Sequence, residues 1–413
     1  MIGYSKRSGC ASCESQSLER LLDLGTVPLA GHFPSKLELG KENTYPLSLM
    51  FCENCKLVQT DSVIEPDILF KDYRYISSVG LSEHFQSLAK ILDQKYKVKE
   101  KDILEIGCND GVLLEPLVKL GAFAEGVDPA ENIVKIARDK GLKVTNAYFN
   151  YENFKSKEYQ GKFDLVLCNN AFAHIIDIKE IIKGVNHVLK PSGDFIFEVH
   201  YLKDIIEGNQ WDSIYHEHIY YYSLTALRNL FKKFDMTIID FEEIPIHSGS
   251  IRVTAKNQVV ETPKKLLDRY KLEEKNICNL EFLSLYRKNT ISHINEFKEA
   301  IRDLGSKYKI GGYGASGRAN MFCNLTNLNE EKIQFIVDES PERCGRYMAN
   351  TKIPIVDVNY LKESDIDLLI IFAWNYSKMI IEKTQFKNLK YLVAFPFVQV
   401  VENYTELEGF DSI

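Results

Sequence analysis

Residues 101–128 bring together the residue types that could hold a nucleoside. Lys101-Asp102-Ile103-Leu104-Glu105-Ile106-Gly107 reads as a buried strand ending on glycine, and Cys108-Asn109-Asp110-Gly111 follows as a tight turn. Val112-Leu113-Leu114 opens a helical apolar pattern, and a second short strand ends at Gly126-Val127-Asp128. A glycine turn lets backbone approach a ligand, and an acid at the tip of the next strand can accept from ribose hydroxyls. The same residues also fit an ordinary strand–turn–helix of an α/β domain. Gly107 and Gly111 are too few for G-x-G-x-x-G, the dinucleotide fingerprint.

Two other groups could do chemistry. Cys10-Ala11-Ser12-Cys13 and Cys52-Glu53-Asn54-Cys55 are C-x-x-C pairs. Each places two thiolates on one turn, and two facing turns make a tetrahedral S₄ zinc site with no position left open for catalysis. The stretch between the pairs is long for a zinc ribbon and can hold hairpins of its own. Cys108, Cys168, Cys278, Cys323 and Cys344 stand alone and read as small core or turn residues. Residues Trp211 to Tyr222 hold His216, Glu217, His218 and the tyrosines 215, 220, 221 and 222. H-E-H lacks the H-E-x-x-H spacing that sets two ligands on one helical face. It suits acid–base work: histidine titrates near neutrality, a neighbouring Glu can orient it, and Tyr can hydrogen-bond an enolate oxygen. A surface loop with a charge cluster is the equally open alternative.

The elements that must position these groups alternate. Strand candidates are Asp102–Ile106, Ala124–Val127, Phe163–Asn169 and Asp194–His200, and the helix Ile133–Lys140 stops at Gly141. That alternation implies a parallel sheet with helices on both faces. Before it lies a connector over about 61–98, partly helical, with Tyr73-Arg74-Tyr75 as an aromatic cluster. After it come a strand pair around Met236–Phe241 and Ser250–Ala255, and one long amphipathic helix or two over about 263–305. A second α/β unit begins at Lys307–Gly312, with a strand ending at Asp338 and another at Ile366–Ala373. Three units are expected, over residues 1–70, 71–262 and 263–413.

Composition agrees with that division. A chain of 413 residues implies two or three domains, and 45% hydrophobic with 26% charged residues is globular. Net charge of −7 without a basic block argues against nucleic acid. No apolar run reaches the length of a membrane span, and Met1–Arg7 has no signal-like apolar region. The expected setting is a reducing cytoplasm, where cysteines serve as metal ligands or core residues. No obligate protein partner is readable.

In order along the chain, the motifs point to a family. Glu105-Ile106-Gly107-Cys108-Asn109-Asp110-Gly111 with the later Asp128 resembles the first two nucleoside-binding motifs of S-adenosylmethionine-dependent methyltransferases. Add the two C-x-x-C pairs, Leu24-Gly25-Thr26-Val27-Pro28-Leu29-Ala30, Tyr73-Arg74-Tyr75-Ile76-Ser77-Ser78 and Ile214-Tyr215-His216-Glu217-His218. His247-Ser248-Gly249-Ser250-Ile251-Arg252, Gly312-Tyr313-Gly314-Ala315 and Ala373-Trp374-Asn375-Tyr376 follow. Over nearly its whole length the chain resembles the zinc-containing C-methyltransferases that act on nucleotide-linked keto-deoxysugars.

The resemblance implies an α/β protein with three parts. These are an N-terminal zinc module with four cysteine ligands, a central class I Rossmann-like methyltransferase domain, and a C-terminal Rossmann-like domain that helps hold the sugar nucleotide. It implies S-adenosylmethionine and a structural Zn²⁺ on Cys10, Cys13, Cys52 and Cys55. Glu105, Gly107, Asn109, Gly111, Asp128, Pro129, Asn169 and Asn170 then line the methyl donor, with Asp128 on the ribose. The reaction would remove a proton beside a ketone, hold the enolate, and methylate the carbon. His218 is the expected base, with Glu217 orienting or binding. Tyr215 and Tyr75 would position substrate and stabilise the enolate, and His174 would lie near the reacting carbon. A histidine merely starting a helix is the other reading of His174. Ser78, His247, Ser250, Arg252, Tyr313, Trp374 and Asn375 are the expected substrate contacts. Arg252 offers a bidentate fork to phosphate oxygens, or else forms a surface ion pair. The site should lie in a cleft between the central and C-terminal domains, with the zinc module as one wall.

Two departures bear on the substrate. Ser248 stands where the family pattern has glycine, and Gly345–Thr351 lacks the expected proline-glycine turn. Surface-polysaccharide sugars, heptoses included, fit as well as deoxysugars. A competing reading starts from Gly312-Tyr313-Gly314-Ala315-Ser316-Gly317, a true G-x-G-x-x-G with Asp338 ending the next strand. It would make the protein an NAD-dependent oxidoreductase, though the remaining chain is short for that. O-methylation of the same substrate class, and a sugar-nucleotide binder without activity, are further alternatives. The set Tyr215, Glu217 and His218 speaks against the last.

Overall fold

In the computed structural model residues 3–70 and 76–409 are described. The N-terminal module is built on a long bulged hairpin, Leu18–Pro28 against Thr44–Cys52, extended by Val58–Thr60. Its fourth strand comes from elsewhere: Tyr220–Tyr221 pairs antiparallel with the third, Tyr220 opposite Gln59 and Tyr221 opposite Val58. The polar-aromatic segment is therefore tied to the zinc module. It is no surface loop: Trp211, Asp212, Ser213, Ile214, His216 and Ile219 through Tyr222 are all buried.

The central sheet has seven strands in the order Thr237–Ile244, Ser250–Lys256, Leu189–His200, Phe163–Asn169, Asp102–Ile106, Phe123–Asp128, Lys143–Asn146. The five from Leu189–His200 onward run parallel, and Ser250–Lys256 is antiparallel to its neighbours. The order reverses between Asp102–Ile106 and Phe163–Asn169, so a crevice opens at their C-terminal tips. One face is covered by helix Ser78–Tyr96, whose Leu81, Phe85, Leu88 and Leu92 meet Ile103, Leu165, Leu167 and Ile196. The apolar spacing of three and four residues is what lays this helix flat on the sheet. The expected helix at 133–140 spans Glu131–Asp139, and Gly141, at φ +80, allows the chain to turn back.

Residues 263–305 form two helices, Lys264–Lys275 and Leu280–Gly305, separated where Asn279 accepts the amide of Glu281 as an N-cap. The first helix and the start of the second bury Leu266, Tyr270, Leu283 and Tyr286 in the central core, whereas Phe297 and Ile301 belong to the C-terminal core. The unit boundary expected at 262/263 thus precedes two helices that bridge both cores. The C-terminal sheet has six strands in the order Ile355–Asp357, Ile336–Asp338, Ile310–Tyr313, Leu368–Ile371, Lys390–Val393, Gln399–Val401, all parallel except the last. Among the described residues no helix is long and apolar enough to cross a membrane.

Candidate active site

The cofactor cradle forms at three strand tips. Gly107, Asn109 and Gly111 all adopt positive φ, at +68°, +50° and +79°. A Cβ on Gly107 would fall 2.5 Å from Cβ of Ala171, so only glycine lets the turn pass the next strand tip. Asp128 is locked beside the turn, Oδ2 accepting the Asn109 amide at 3.0 Å and Oδ1 the Ala130 amide at 2.9 Å. Burial raises its carboxyl pKa, and the two amides oppose that rise. Asn146 donates to the carbonyls of Asp128 and of Pro129, at 3.0 and 2.9 Å, which fixes the far edge.

At the cradle floor burial pushes the Glu105 carboxyl well above the usual range; the Asn169 amide beside it opposes this, and Asp128, Asp110 and Glu198 add to it. Among the described residues Glu105 Oε2 and both ends of the Asn170 side chain are buried without a hydrogen-bond partner. Unpaired buried polar atoms cost about 1–3 kcal/mol each, so they mark where a polar ligand belongs. S-adenosylmethionine fits this donor set: its ammonium and sulfonium suit an acid-rich floor, its ribose the tip at Asp128.

Beyond Asn170 four histidines form a row. Ring centroids lie 4.9 Å apart for His174 and His218, 4.6 Å for His200 and His218, and 5.3 Å for His200 and His247. Burial lowers all four, to about 4 for His174 and His247, and neighbouring histidines add to the effect on His200 and His218. His218 is oriented from both sides. Its Nδ1 lies 3.1 Å from the Ser213 carbonyl, which can only accept, so Nδ1 carries the proton. Its Nε2 lone pair then accepts the Tyr215 hydroxyl at 2.8 Å, with the two rings 3.9 Å apart. Glu217 Oε1 accepts the Gly31 amide at 2.8 Å, its other oxygen is buried without a partner among the described residues, and burial raises its pKa. His216 has a structural place, Nε2 lying 3.2 Å from the Pro46 carbonyl.

The C-terminal domain roofs this row. Arg318 makes a bidentate pair with Asp212 at 2.9 Å, contacts Ser248 Oγ at 3.2 Å, and stacks 4.8 Å over Trp374. Trp374 Nε1 donates to the same Asp212 at 3.1 Å, and Asn375 beside it is half-buried. His247 and Ser248 both adopt left-handed φ, +55° and +67°, a costly conformation for non-glycine residues that clusters at functional sites. Ser248 is held there by Arg318 at its hydroxyl and by Gln210 at its carbonyl, 2.7 Å away.

Other expected substrate contacts are placed differently. Arg252 faces no open phosphate site: its guanidinium lies between Glu198 and Glu242, at 2.7–2.8 Å. The cause is register, because Glu198 and Glu242 sit directly opposite Arg252 on the two flanking strands. Ser250 donates to the Ile246 carbonyl at 3.1 Å, and Tyr313 to Glu339 at 2.6 Å within the C-terminal domain. Ser78 is half-buried at the start of its helix, and Tyr75 lies outside the described residues. Missing from the sequence reading were His200, His84, Asp212 and Arg318. His200 ends a recognised strand in period-two phase with Glu198, a signal that could have been used; nothing local pointed to Arg318.

The four cysteine sulfurs lie within 4.8 Å of one another. Both turns close alike, Glu14 donating to the Cys10 carbonyl and Lys56 to the Cys52 carbonyl, each at 2.8 Å, and both donors have positive φ. Four crowded thiols with two identical knuckles are a zinc site, and a Zn²⁺ there is structural. From this module the loop 29–32 reaches the C-terminal domain. Asn320, fully buried, donates to the carbonyls of Leu29, Ala30 and His32 at 3.1–3.3 Å.

That loop also answers the oxidoreductase reading. A Cβ on Gly317 would already touch Ala30 at 3.4 Å, so the loop packs against the last glycine of the turn at 312–317. Asp338 is engaged by the amides of Ala315 and Ser340 at 2.7 and 2.8 Å. The fingerprint is genuine as a fold signature, with Ala30 of the zinc module packed on its last glycine and its tip acid already engaged.

The profile of the C-methyltransferase C-terminal domain matches residues 245–396, that of a methyltransferase domain residues 82–240, and that of a zinc binding domain residues 10–70. The C-methyltransferase NovU of Streptomyces niveus is 30% identical over 404 residues, 95% of this chain and 96% of that one. The ubiquinone biosynthesis O-methyltransferase of Colwellia psychrerythraea is 30% identical over 121 residues, 28% of this chain and 49% of that protein. Among solved structures, magnesium protoporphyrin IX methyltransferase from Synechocystis with bound SAM is 16% identical, with a TM-score of 0.34, over 43% of this chain and 80% of that one. A S-adenosylmethionine-dependent methyltransferase from Clostridium acetobutylicum is 18% identical, with a TM-score of 0.35, over 43% of this chain and 92% of that one.

Proposed function

This chain belongs to the zinc-containing, S-adenosylmethionine-dependent C-methyltransferase family, and from that premise we propose that it methylates a carbon beside the ketone of a nucleotide-linked keto-sugar. The observation that carries the reading is the Tyr215–His218 pair, set beside Glu217 at the mouth of an acid-floored nucleoside cradle. S-adenosylmethionine bound in the cradle supplies an electrophilic methyl group. Everything else falls to the chain's own residues.

His218 is the base, and the proton reaches Nε2 through the Tyr215 oxygen, since Tyr215 already donates to that nitrogen. The Ser213 carbonyl holds the tautomer that leaves Nε2 free to accept. Burial keeps His218 uncharged at neutral pH, so it is ready to act as a base. Glu217, whose Oε1 accepts the Gly31 amide, binds and orients the substrate through the oxygen that lacks a partner among the described residues. His174, His200 and His247 line the sugar side, and Arg318, paired with Asp212 and stacked on Trp374, forms the roof at the nucleotide end.

The test is incubation of the zinc-loaded enzyme with a nucleotide 4-keto-deoxysugar in D₂O. Wild type should exchange deuterium at the carbon beside the ketone and, with S-adenosylmethionine present, give a C-methyl product by NMR. His218→Asn should do neither. A methyl group on oxygen, or exchange undiminished in His218→Asn, refutes the mechanism.

A further inference from the structure

Tyr215 and His218 move the proton, and that leaves neither of them to hold the enolate oxygen. Tyr215 donates its hydroxyl proton to His218 Nε2 at 2.8 Å, and the Nδ1 proton of His218 goes to the Ser213 carbonyl at 3.1 Å. Charge that develops on the enolate oxygen is best stabilised by a donor already in place. A carbonyl oxygen lies only about 2.4 Å from the carbon beside it, so that donor must be next to the base.

Most histidines of this chain have fixed partners. His84 Nε2 lies 2.8 Å from Glu198, and His216 Nε2 3.2 Å from the Pro46 carbonyl. His293 is bonded at both nitrogens, to Trp211 at 2.9 Å and to the Ala394 carbonyl at 2.7 Å. His174 is hydrogen-bonded to the main chain of Glu217 and Asn170. His200 and His247 differ: both are half-buried and, among the described residues, neither ring has a hydrogen-bond partner. Of the two, His200 is the one against the base. Its ring lies 4.6 Å from that of His218, whereas His247 lies on from it, 5.3 Å from His200.

The backbone fixes His200 at this place. It ends the strand Leu189–His200 opposite Ser250 on the antiparallel neighbour, and the next residue, Tyr201, bridges to Tyr222. The Glu198 carbonyl, two residues earlier, accepts the Asn170 amide at 2.9 Å. His200 therefore stands at the strand tip beside the one that lines the methyl donor. Burial holds its pKa well below the ordinary histidine value, and His247, Arg318 and His174 add to the effect. The ring is thus uncharged at neutral pH and carries one N–H that no described group accepts. The Arg318 charge that disfavours a cationic ring favours an oxyanion in the same place.

We infer that His200 is a catalytic residue, donating a hydrogen bond to the ketone oxygen as it becomes the enolate. The Tyr215 oxygen takes the proton from carbon while its own proton passes to His218 Nε2. The C–H pair becomes the carbon–carbon double bond, and the carbonyl π pair moves onto the oxygen that meets His200. When that carbon takes the methyl group, the C=C pair forms the new carbon–carbon bond and C=O re-forms. The pair of the broken carbon–sulfur bond stays on sulfur. His200 keeps its proton throughout, and an uncharged imidazole suffices to polarise a carbonyl in this way. The inference rests on the proposed proton abstraction by Tyr215 and His218.

The test compares His200→Phe, His200→Asn and His200→Gln with wild type, each as full-length zinc-loaded protein, on a nucleotide 4-keto-deoxysugar in D₂O. The first keeps a ring against His218 and His247 but has no N–H; the other two keep a donor. His200→Phe should slow both deuterium exchange and kcat by about 100- to 1000-fold, the range for one oxyanion donor, with KM within about threefold and S-adenosylmethionine binding unchanged. One of the amide variants should recover about tenfold or more of that loss, His200→Asn if Nδ1 donates and His200→Gln if Nε2 does. Exchange at the wild-type rate in His200→Phe overturns the inference. So does a rise in KM with kcat unchanged, which is ground-state binding, or a loss that neither amide recovers, which is packing. If His200→Phe does not fold, His200→Leu replaces it. Absence of exchange from wild type overturns the proton-abstraction reading itself.

Discussion

Asn320 is the residue to perturb first, because size and electrostatics predict opposite rankings for its substitutions. Its amide is fully buried and faces three main-chain carbonyls of loop 29–32, at 3.1, 3.2 and 3.3 Å. Two N–H groups can satisfy at most two good hydrogen bonds at once. Asn320→Ala removes them and leaves carbonyls dry, at roughly 1 kcal/mol per bond lost plus a desolvation penalty, or about 2–4 kcal/mol in all. For a unit of this size that is a fall in Tm of roughly 5–15 °C. Asn320→Asp keeps the shape but sets a buried carboxylate against those oxygens, and should be worse than alanine at pH 7. Its folded-state pKa would be raised, so the protonated form is favoured in the fold and the deficit should shrink as pH falls. The same loop delivers the Gly31 amide to Glu217 at 2.8 Å, so kcat should fall in both variants with their stability. Thermal unfolding at pH 7 and pH 5.5, with turnover alongside, reads all of this. If Asn320→Asp matches wild type, or is milder than alanine at pH 7, the clamp described here is wrong.

Three further outcomes are expected. Cys52→Ser should lose the bound zinc by metal analysis and also lower turnover, because strand Tyr220–Tyr221, two residues from His218, is paired into the zinc-module sheet. The four histidines of the row have folded pKa values below their unfolded ones, so the unfolded state binds more protons as pH falls below about 6.5. Stability measured by urea titration should therefore drop steadily from pH 6.5 toward pH 4, and the acid limb of kcat/KM should lie below the ordinary histidine range; an acid limb at 6.5 or above contradicts a buried, neutral His218. Gly249→Ala places a Cβ 2.4 Å from Asp204 at φ +119, so the His247–Ser248 turn must shift; substrate KM should rise about 5- to 30-fold, by about 1–2 kcal/mol of lost binding, while S-adenosylmethionine affinity stays unchanged.

Much of this protein could be read from local sequence. The turn Gly107–Gly111 and the tip acid Asp128 were legible because strand period, glycine placement and an acid at fixed offset are local rules. The cysteine pairs were legible for the same reason, since each knuckle is closed by hydrogen bonds within five residues. The family likeness added Tyr215, Glu217 and His218 as a set, though not which atom faces which.

Tertiary structure decided the rest. Arg252 reads as a phosphate ligand in its motif, yet cross-strand register places a carboxylate on each side of it, and register depends on partners 10 and 54 residues away. His84 and Glu198 lie 114 residues apart and gain meaning only where helix and sheet meet. The G-x-G-x-x-G at 312–317 obeys every local rule of a dinucleotide site, and a loop from the far end of the chain packs against its last glycine. Arg318 and Asp212 meet across 106 residues, and neither the glycine motif before the one nor the aromatic segment around the other names its partner. Turn chemistry and strand ends are set by neighbours in sequence, whereas charge pairing, burial and the filling of a crevice are set by neighbours in space.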